Sequence, residues 1–334
     1  MTASENRTIQ TYSLQADNGL AVELLDYGAT LRSIRVPTAH GVVETLLNYP
    51  DVQDYLRDPF FLGSTVGRYA GRIDNGKFEL NGELYLLDRN DPDHGHCLHG
   101  GAGGFHSRFW AVDEDPRSNA VAFRIESPDG DQGFPGNLTV TVRYSLVSDL
   151  CLQIDYFAEA DADTVINLTN HAYFNLNGDH SPIGNHEVWI NSELYLPMGR
   201  NMLPTGDIAN VKGTAFDFHT KARLGERMAA SAPQLELAGG FDHFFMLNKA
   251  MKYPAIAASL ASPESGIRLK FYSSRPGVQF YTGNYLTDPF PRHSGLCLEF
   301  QNAPNAPNTG GFPSPVLKAG HLWHRQLVME FECT

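Results

Sequence analysis

The sequence has few cysteines, and their arrangement limits what they can do. Four of its 334 residues are cysteines, Cys97, Cys151, Cys297 and Cys333, and no two form a Cys-x-x-Cys pair. Because they lie far apart in the chain, free thiols are expected rather than a disulfide framework. This pattern favours a cytoplasmic protein over a secreted one.

Basic residues are also scarce. The chain has 25 Lys and Arg against 38 Asp and Glu, a formal net charge of -13. Because nucleic-acid surfaces need clustered positive charge, no nucleic-acid partner is expected. The same deficit argues against a phosphorylated substrate, and the acidic excess is typical of a soluble protein.

Long apolar runs are missing. None approaches the roughly 18 residues that a membrane-spanning helix needs. The first ten residues are polar and have no apolar core, so we expect neither a signal peptide nor a membrane partner.

What the chain does have is strict alternation of apolar and polar residues. Residues 138–146 alternate over nine positions, which predicts a half-buried strand. Residues 151–158 continue after a short break, which predicts an antiparallel hairpin. Similar short runs occur at residues 9–14, 21–25, 31–36, 84–87, 120–125, 165–168, 188–190, 267–272, 278–281 and 327–331.

Two features indicate the fold class: frequent breaks between these runs and little helical periodicity. The chain has 31 Gly and 20 Pro, and helical turns are indicated only at residues 51–56 and at 221–237, where Pro233 interrupts. Many short strands with such breaks predict an all-β sandwich or barrel. With no linker or repeat, we expect a single domain over residues 1–334, built on two large packed sheets.

His171 is the first candidate for chemistry. It follows an apolar run, in the segment Thr-Asn-His-Ala-Tyr-Phe-Asn-Leu, beside Tyr173 and Phe174. Histidine titrates near neutral pH, which suits it to proton donation. A structural histidine at a strand end is the alternative.

Glu299 is the second candidate. It shares one face of an apolar strand with Cys297 and Gln301. That face is either exposed to solvent or the floor of a concave sheet. In the second case desolvation raises the pKa of Glu299 towards the range useful for a base.

A histidine-rich run occupies residues 93–101. His94, His96, Cys97 and His99 are types that bind metals, but their spacing matches no recognised zinc site. Glycines in the run indicate a turn that lets backbone approach a ligand. We expect a polar loop with one functional histidine and no metal.

Three polar residues complete the candidates. Arg72 offers a fixed fork of donors, and a plain salt bridge is its alternative. Asp242 lies between aromatic residues after a glycine pair, where it either accepts bonds from sugar hydroxyls or closes a turn. Gln279 offers a donor and an acceptor, unless it is simply an exposed strand residue.

The order of these motifs resembles the aldose 1-epimerase (galactose mutarotase) family. Gly-Arg-x-Ala-x-Arg-Ile, Leu-His-Gly-Gly, the His171 segment, Phe-Asp-His, Pro-Gly-Val-Gln-Phe-Tyr-Thr-Gly-Asn and Leu-Glu-Phe-Gln-Asn-Ala-Pro-Asn follow one another between Gly67 and Asn308. The resemblance implies a β-supersandwich of large antiparallel sheets with an open sugar cleft. The sequence departs from the family pattern at one position, because Gly71 stands where many members carry Asn.

The resemblance also implies roles for these residues. His171 would be the general acid at the ring oxygen and Glu299 the general base at the C1 hydroxyl. The substrate-binding residues would be Arg72, His99, Tyr173, Asp242 and Gln279. Neither a metal nor another cofactor is expected, the partner is a monosaccharide, and the assembly is a monomer or homodimer.

Three rival functions are weighed against this one. A non-catalytic sugar-binding protein would not need both His171 and Glu299. A hexose-6-phosphate 1-epimerase would need more basic residues. A glycoside hydrolase usually places two carboxylates across the bond, whereas the acid candidate here is a histidine.

Overall fold

Short β-strands make up most of the fold. The computed structural model describes residues 7–115, 119–248 and 255–333, except for the side chains of residues 114 and 115. The strands before residue 130 are β1 (Thr11–Gln15), β2 (Ala21–Leu25), β3 (Thr30–Thr38), β4 (Gly41–Glu44), β5 (Thr65–Val66), β6 (Arg72–Ile73), β7 (Lys77–Leu80), β8 (Glu83–Leu86), β9 (Cys97–Leu98), β10 (Ala111–Asp115) and β11 (Ala120–Ser127).

The remaining strands and the helices follow in the second part of the chain. The strands are β12 (Leu138–Ser148), β13 (Cys151–Ala160), β14 (Thr164–Val165), β15 (Thr169–Asn170), β16 (Glu187–Ile190), β17 (Leu194–Leu196), β18 (Ala209–Asn210), β19 (Ala222–Arg223), β20 (Asp242–Met246), β21 (Ala255–Ala261), β22 (Ile267–Ser273), β23 (Gly277–Tyr281), β24 (Cys297–Gln301), β25 (Val316–Leu317) and β26 (Trp323–Cys333).

Helices are few and short. Two α-helices, α1 (Leu224–Met228) and α2 (Pro233–Ala238), lie between β19 and β20. The 3-10 helices are Val52–Arg57, Asp74–Gly76, Phe105–Ser107, Asp131–Gly133, Ile183–Asn185 and Ala306–Asn308. In the described ranges no helix combines the length and apolar character that a membrane crossing requires.

Antiparallel pairing builds two large sheets and a smaller one. Nine strands follow the order β10-β11-β12-β13-β26-β22-β21-β16-β19, five follow β18-β17-β20-β23-β24, and four follow β1-β2-β3-β4. Four two-stranded pairs complete the set, among them β15-β5 and β6-β9. The prediction of an all-β fold with large antiparallel sheets is confirmed.

The predicted hairpin at residues 138–158 is part of the nine-stranded sheet. Strand β12 pairs with β13 from Leu138 opposite Ala160 to Leu146 opposite Leu152. The apolar positions of β12 from Leu138 to Tyr144 are buried, because a period of two sends them all to one face. That face belongs to the main core.

The main core lies between the nine-stranded and five-stranded sheets. Phe271 of β22 and Phe300 of β24 have ring centroids 5.4 Å apart across this layer. Both rings are buried, and burying a phenylalanine contributes roughly 1.5–3 kcal/mol. Because Phe300 faces the core, the opposite face of β24, which carries Glu299, is the one that can form the site.

Two sequence predictions need correction at this level. Residues 165–168 do not form one strand, because β14 ends at Val165 and β15 begins at Thr169. Between them the Asn167 N–H donates to the carbonyl of Arg68, and the Asn167 amide donates to the carbonyl of Ala70. The chain turns from one partner to another here.

The helical predictions hold only in part. Residues 52–57 form a 3-10 helix, capped where the Asp51 carboxylate accepts from the Gln53 N–H at 2.9 Å. The stretch 221–237 begins as strand β19 and contains two helices, with Pro233 opening the second. Proline is tolerated there because a first-turn residue needs no intrahelical N–H bond. The expectation of free thiols is confirmed for all four cysteines.

Candidate active site

The floor of the site is one face of the five-stranded sheet. Glu299 on β24 lies directly opposite Gln279 on β23, and Gln279 lies opposite Phe244 on β20. Residues paired in this way project to the same face, and all three line one open cleft. Two further rows flank this one: Cys297, Tyr281 and Asp242 on one side, and Gln301, Gly277 and Met246 on the other.

The Glu299 face is therefore a floor and not a solvent surface. Glu299 is only 3% exposed. Burial raises its pKa well above the ordinary value; the nearby Asp242 adds to this, and Arg72 works in the opposite direction. The carboxyl group thus favours its neutral form more than an exposed glutamate does.

His171 reaches the floor from the segment that follows β15. Its backbone N–H donates to the carbonyl of Ser64 at 2.9 Å, and its own carbonyl accepts from the N–H of Gly63. Three residues later, Phe174 exchanges two backbone hydrogen bonds with Leu296, immediately before β24. These bonds hold the imidazole over the start of that strand.

The imidazole and the carboxylate are close neighbours. Nε2 of His171 lies 3.8 Å from Oε1 of Glu299, and Nδ1 lies 3.6 Å from Sγ of Cys297. Burial lowers the pKa of His171 to about 4. Both groups thus favour their neutral forms, which leaves one proton in the pair, on the carboxyl group.

His99 stands beside this pair, with its ring perpendicular to that of His171 and the centroids 5.3 Å apart. Its Nδ1 accepts a hydrogen bond from the N–H of Gly71 at 3.2 Å. Burial, reinforced by His171, lowers its pKa well below the ordinary value. A neutral ring that accepts at Nδ1 carries its proton on Nε2, so His99 offers a donor to the cleft.

Arg72 satisfies both interpretations offered for it. It lies on β6, opposite Leu98 of β9, which places it next to His99. Its Nε donates to Asp91 at 2.9 Å, and its side chain also lines the cleft. Because Nε makes this bond, the terminal guanidinium nitrogens remain available to a ligand.

Asp242 and Gln279 form a hydrogen-bonded pair in the floor. Nε2 of Gln279 donates to Oδ1 of Asp242 at 2.6 Å. Burial raises the pKa of Asp242, and Arg72 partly offsets the rise. Gln279 is thus a buried floor residue and not an exposed one.

Several buried polar atoms of the floor have no hydrogen-bond partner among the described residues. They are Oε1 of Gln279, Oε2 of Glu299, and both Oε1 and Nε2 of Gln301. Buried polar groups are nearly always paired, and an unpaired one costs about 1–3 kcal/mol. Four such atoms on one cleft indicate a ligand rich in hydroxyl groups.

Aromatic rings form the walls. Tyr173 packs on His171 with centroids 5.2 Å apart and on Tyr281 at 6.0 Å. The ring of Phe61 contacts two histidines of the cleft, with its centroid 4.7 Å from that of His99 and 5.7 Å from that of His171. Every site residue predicted from the sequence therefore lies in this one cleft.

Gln301 and Phe61 are two of the cleft residues that were not predicted as candidates. Gln301 was noted only as sharing a face with Glu299, although the same period of two should have placed it in the site. Phe61 directly follows Phe60 and has a left-handed backbone conformation, with a φ of 59°. No feature of the sequence near Phe61 indicates either property.

The site contains one group of side chains with metal-ligand spacing. Donor atoms of His99, His171 and Glu299 lie within 4.8 Å of one another. The donor chemistry does not favour a metal, because His99 carries its proton on the cleft-facing Nε2 and Glu299 favours its neutral form. Among the described residues, His94, His96 and Cys97 join no such group; His96 is bound to Asn75 and Asn201.

Comparisons with known proteins identify the family of this chain. A family model described as aldose 1-epimerase matches residues 10–330. Galactose mutarotase of Bos taurus is 40% identical, over 97% of this chain and 94% of its own length. Aldose 1-epimerase of Escherichia coli K12 is 37% identical, over 94% of this chain and 92% of its own length. The structure of galactose 1-epimerase from Lactobacillus acidophilus superposes with a TM-score of 0.87 at 30% identity, covering 100% of this chain and 97% of that one.

Proposed function

This chain belongs to the aldose 1-epimerase family, and we propose that its cleft opens and recloses the pyranose ring of a free aldose with His171 and Glu299 as the proton-transfer pair. The enzyme is an isomerase of the mutarotase type, with the galactose mutarotase-like fold. The finer assignments below, of residues and of substrate, are our proposal.

One observation carries the assignment. A histidine and a glutamate, 128 residues apart in the chain, meet at 3.8 Å in a buried cleft. Around them lie four polar atoms without partners among the described residues. Anomer exchange needs a proton removed at one oxygen and a proton delivered at its neighbour, and this pair provides both groups at that spacing.

Ring opening moves two protons. The Glu299 carboxylate removes the proton of the C1 hydroxyl, while the His171 imidazolium protonates the ring oxygen O5. The bond between C1 and O5 then breaks, and C1 becomes an aldehyde. Rotation about C1–C2 presents the other carbonyl face, and reclosure returns both protons. Each proton-transfer group typically contributes about a hundred- to ten-thousand-fold to the rate.

The two pKa shifts fit this cycle. After ring opening, Glu299 holds a proton and His171 is neutral, which is the pattern that burial favours in this pair. When the ring is closed, the reaction requires the single proton on His171 and the carboxylate form of Glu299. Arg72, whose charge lowers the pKa of Glu299, stabilises the carboxylate form for that half of the cycle.

The remaining polar residues bind the sugar. His99 donates through Nε2, Arg72 through its terminal nitrogens, and Asp242 and Gln279 offer acceptors. Tyr173 forms the wall behind the imidazole. Galactose is the proposed substrate because similar proteins are named for it, and the cysteine pattern supports a cytoplasmic location.

A hexose 6-phosphate is the less favoured substrate. Arg72 is the only arginine or lysine that lines the cleft in the described ranges, and it already pairs with Asp91. The histidines there are held neutral by burial. A dianionic phosphate would therefore have little positive charge to bind.

Polarimetry tests the proposal. Freshly dissolved α-galactose and α-glucose are expected to reach anomeric equilibrium faster with the enzyme than without it, after subtraction of the spontaneous rate. Galactose 6-phosphate is expected to show a kcat/KM at least tenfold below that of galactose. No acceleration with any free aldose, or a preference for the phosphate, would overturn the proposal.

A further inference from the structure

Gln301 is the least explained polar residue of the cleft. Its side chain lines the cleft and is fully buried, and neither Oε1 nor Nε2 has a hydrogen-bond partner among the described residues. An amide has two donors and two acceptor positions. Leaving all of them without a protein partner is costly unless a ligand supplies the partner.

Glycines on two sides explain why the amide has no partner. The residue directly opposite on β23 is Gly277. The ring of Phe244 fills the space above that glycine, since a Cβ there would lie 2.0 Å from Cζ of Phe244. On another side lies Gly71, where a Cβ would be 3.5 Å from Nε2 of Gln301. The amide is thus flanked by an apolar ring and by a residue without a side chain, and neither offers it a side-chain hydrogen bond.

The position of Gln301 relative to the reacting groups is fixed by β24. Cys297, Glu299 and Gln301 share one face of the strand, with about 7 Å between alternate residues. His171 lies at the Cys297 end, with Nδ1 3.6 Å from Sγ. Imidazole, carboxylate and amide therefore follow one another along the strand, with Glu299 in the middle.

This order orients the sugar. The argument rests on the proposed function, in which Glu299 contacts the C1 hydroxyl and His171 contacts O5. Atom C1 has two neighbours in the ring, O5 and C2. If O5 points towards His171, then C2 points away from it, towards Gln301.

We propose that Gln301 binds the C2 hydroxyl of the aldose and makes the enzyme selective for sugars that carry it. The amide donates through Nε2 and accepts through Oε1, which matches a hydroxyl group that does both. A site that hydrogen-bonds a substrate hydroxyl discriminates against the analogue lacking it, because its buried polar atoms are then left unpaired. Gly71 places no side chain between the amide and this substituent.

The experiment compares galactose with 2-deoxygalactose. The wild-type enzyme is expected to show a kcat/KM for galactose roughly ten- to a hundredfold higher than for 2-deoxygalactose. In Gln301→Leu, which keeps the volume but removes the hydrogen bonds, the value for galactose is expected to fall to that of the 2-deoxy sugar. The variant's value for 2-deoxygalactose is expected to stay within about twofold of the wild type, so this substrate is the internal control.

Each outcome decides between explanations. An equal loss on both sugars would mean that Gln301 has only a structural role, and would overturn the inference. If Gln301→Leu does not fold, the wild-type enzyme alone still decides, through 2-deoxy-, 3-deoxy- and 4-deoxygalactose compared side by side. Equal rates with galactose and 2-deoxygalactose would then overturn the inference. Failure of the proposed function is different, because no free aldose would be turned over at all.

Discussion

His171 and Glu299 are common side chains whose surroundings give them unusual acidities. Both are almost completely buried, and burial disfavours the charged form of each. The carboxyl group becomes a weaker acid and the imidazole a weaker base. The pair consequently keeps one proton over a wide range of pH, and one proton is what the reaction passes between the two groups.

A pH profile with a plateau above about pH 4 follows from these shifts. As pH falls through about 4, the pKa of His171, a second proton is added and no base remains, so activity is lost on the acid side. As pH rises through the elevated pKa of Glu299, the single proton is lost and no acid remains. We expect kcat/KM for galactose to form a plateau between these two pKa values and to fall on both sides.

The profile is measured by polarimetry, with the spontaneous rate subtracted at each pH and folding checked by circular dichroism. Both limbs are apparent values of the coupled pair rather than of either residue. An acid-side fall of activity centred near pH 6.5, where an ordinary histidine titrates, would contradict the account.

At this scale the sequence identified the reacting groups but not all their neighbours. His171 and Glu299 stand in distinctive motifs, and each of the seven predicted site residues lies in the cleft. The period of two could have placed Gln301 in the cleft, but its lack of hydrogen-bond partners depends on Gly277 across the strand and on Gly71 from a distant loop. A pattern along one strand cannot contain that information.

The strands set the spacing between the functional groups of the site. Register pairs of β20, β23 and β24 set the floor residues in rows, so the separation between functional groups follows from strand geometry. Gly277 is part of this arrangement, because Phe244 fills the place of its missing side chain. The apolar wall of the cleft therefore depends on a residue that has no side chain.

Gly277→Ala tests this element. A Cβ would meet Cζ of Phe244 at 2.0 Å and the carbonyl oxygen of Phe245 at 2.6 Å, so the ring must move into the cleft. We expect a loss of about 1–3 kcal/mol in the free energy of unfolding, together with a raised KM. Urea denaturation and steady-state kinetics measure the two effects.

Gly310→Ala is the matched control, because Gly310 is exposed and no heavy atom lies within 4 Å of its Cβ position. We expect it to change the unfolding free energy by less than about 0.5 kcal/mol. Equal effects of the two substitutions would show that the Phe244 contact is unimportant.

Strand positions were largely predictable, and the exceptions have physical reasons. Strand β12 follows simple alternation and pairs with β13 as predicted, and β2 lies at the predicted residues 21–25. Residues 165–168 read as one strand from their apolar character, yet their backbone bonds go to two different partners. Such a change of partner depends on two segments, around Arg68 and Pro315, that are far away in the chain.

At the scale of the whole molecule, the fold gathers one site from distant parts of the chain. The described residues of the nine-stranded sheet do not line the cleft, and the role of this sheet is to bury the back of β20, β23 and β24. The all-β class was predictable from the short alternating runs and their breaks, and the convergence on one cleft was predictable from the motif order. Which sheet would form the floor, and which face of it, was not.

The central claim is that His171 and Glu299 work as one unit across this fold. The measurement is a double-mutant cycle with Glu299→Gln, His171→Asn and the double variant, by polarimetry on α-galactose. Glu159→Gln is the control, since Glu159 is an exposed strand glutamate of the nine-stranded sheet. Galactose affinity is followed by calorimetry.

Glu299→Gln is expected to lower kcat at least about a hundredfold, with galactose affinity within a few-fold of the wild type. The double variant is expected to be no slower than the worse single variant, because groups that act as a unit are not additive. A Glu299→Gln enzyme that turns over α-galactose at the wild-type rate, or two losses that simply multiply, would contradict the account.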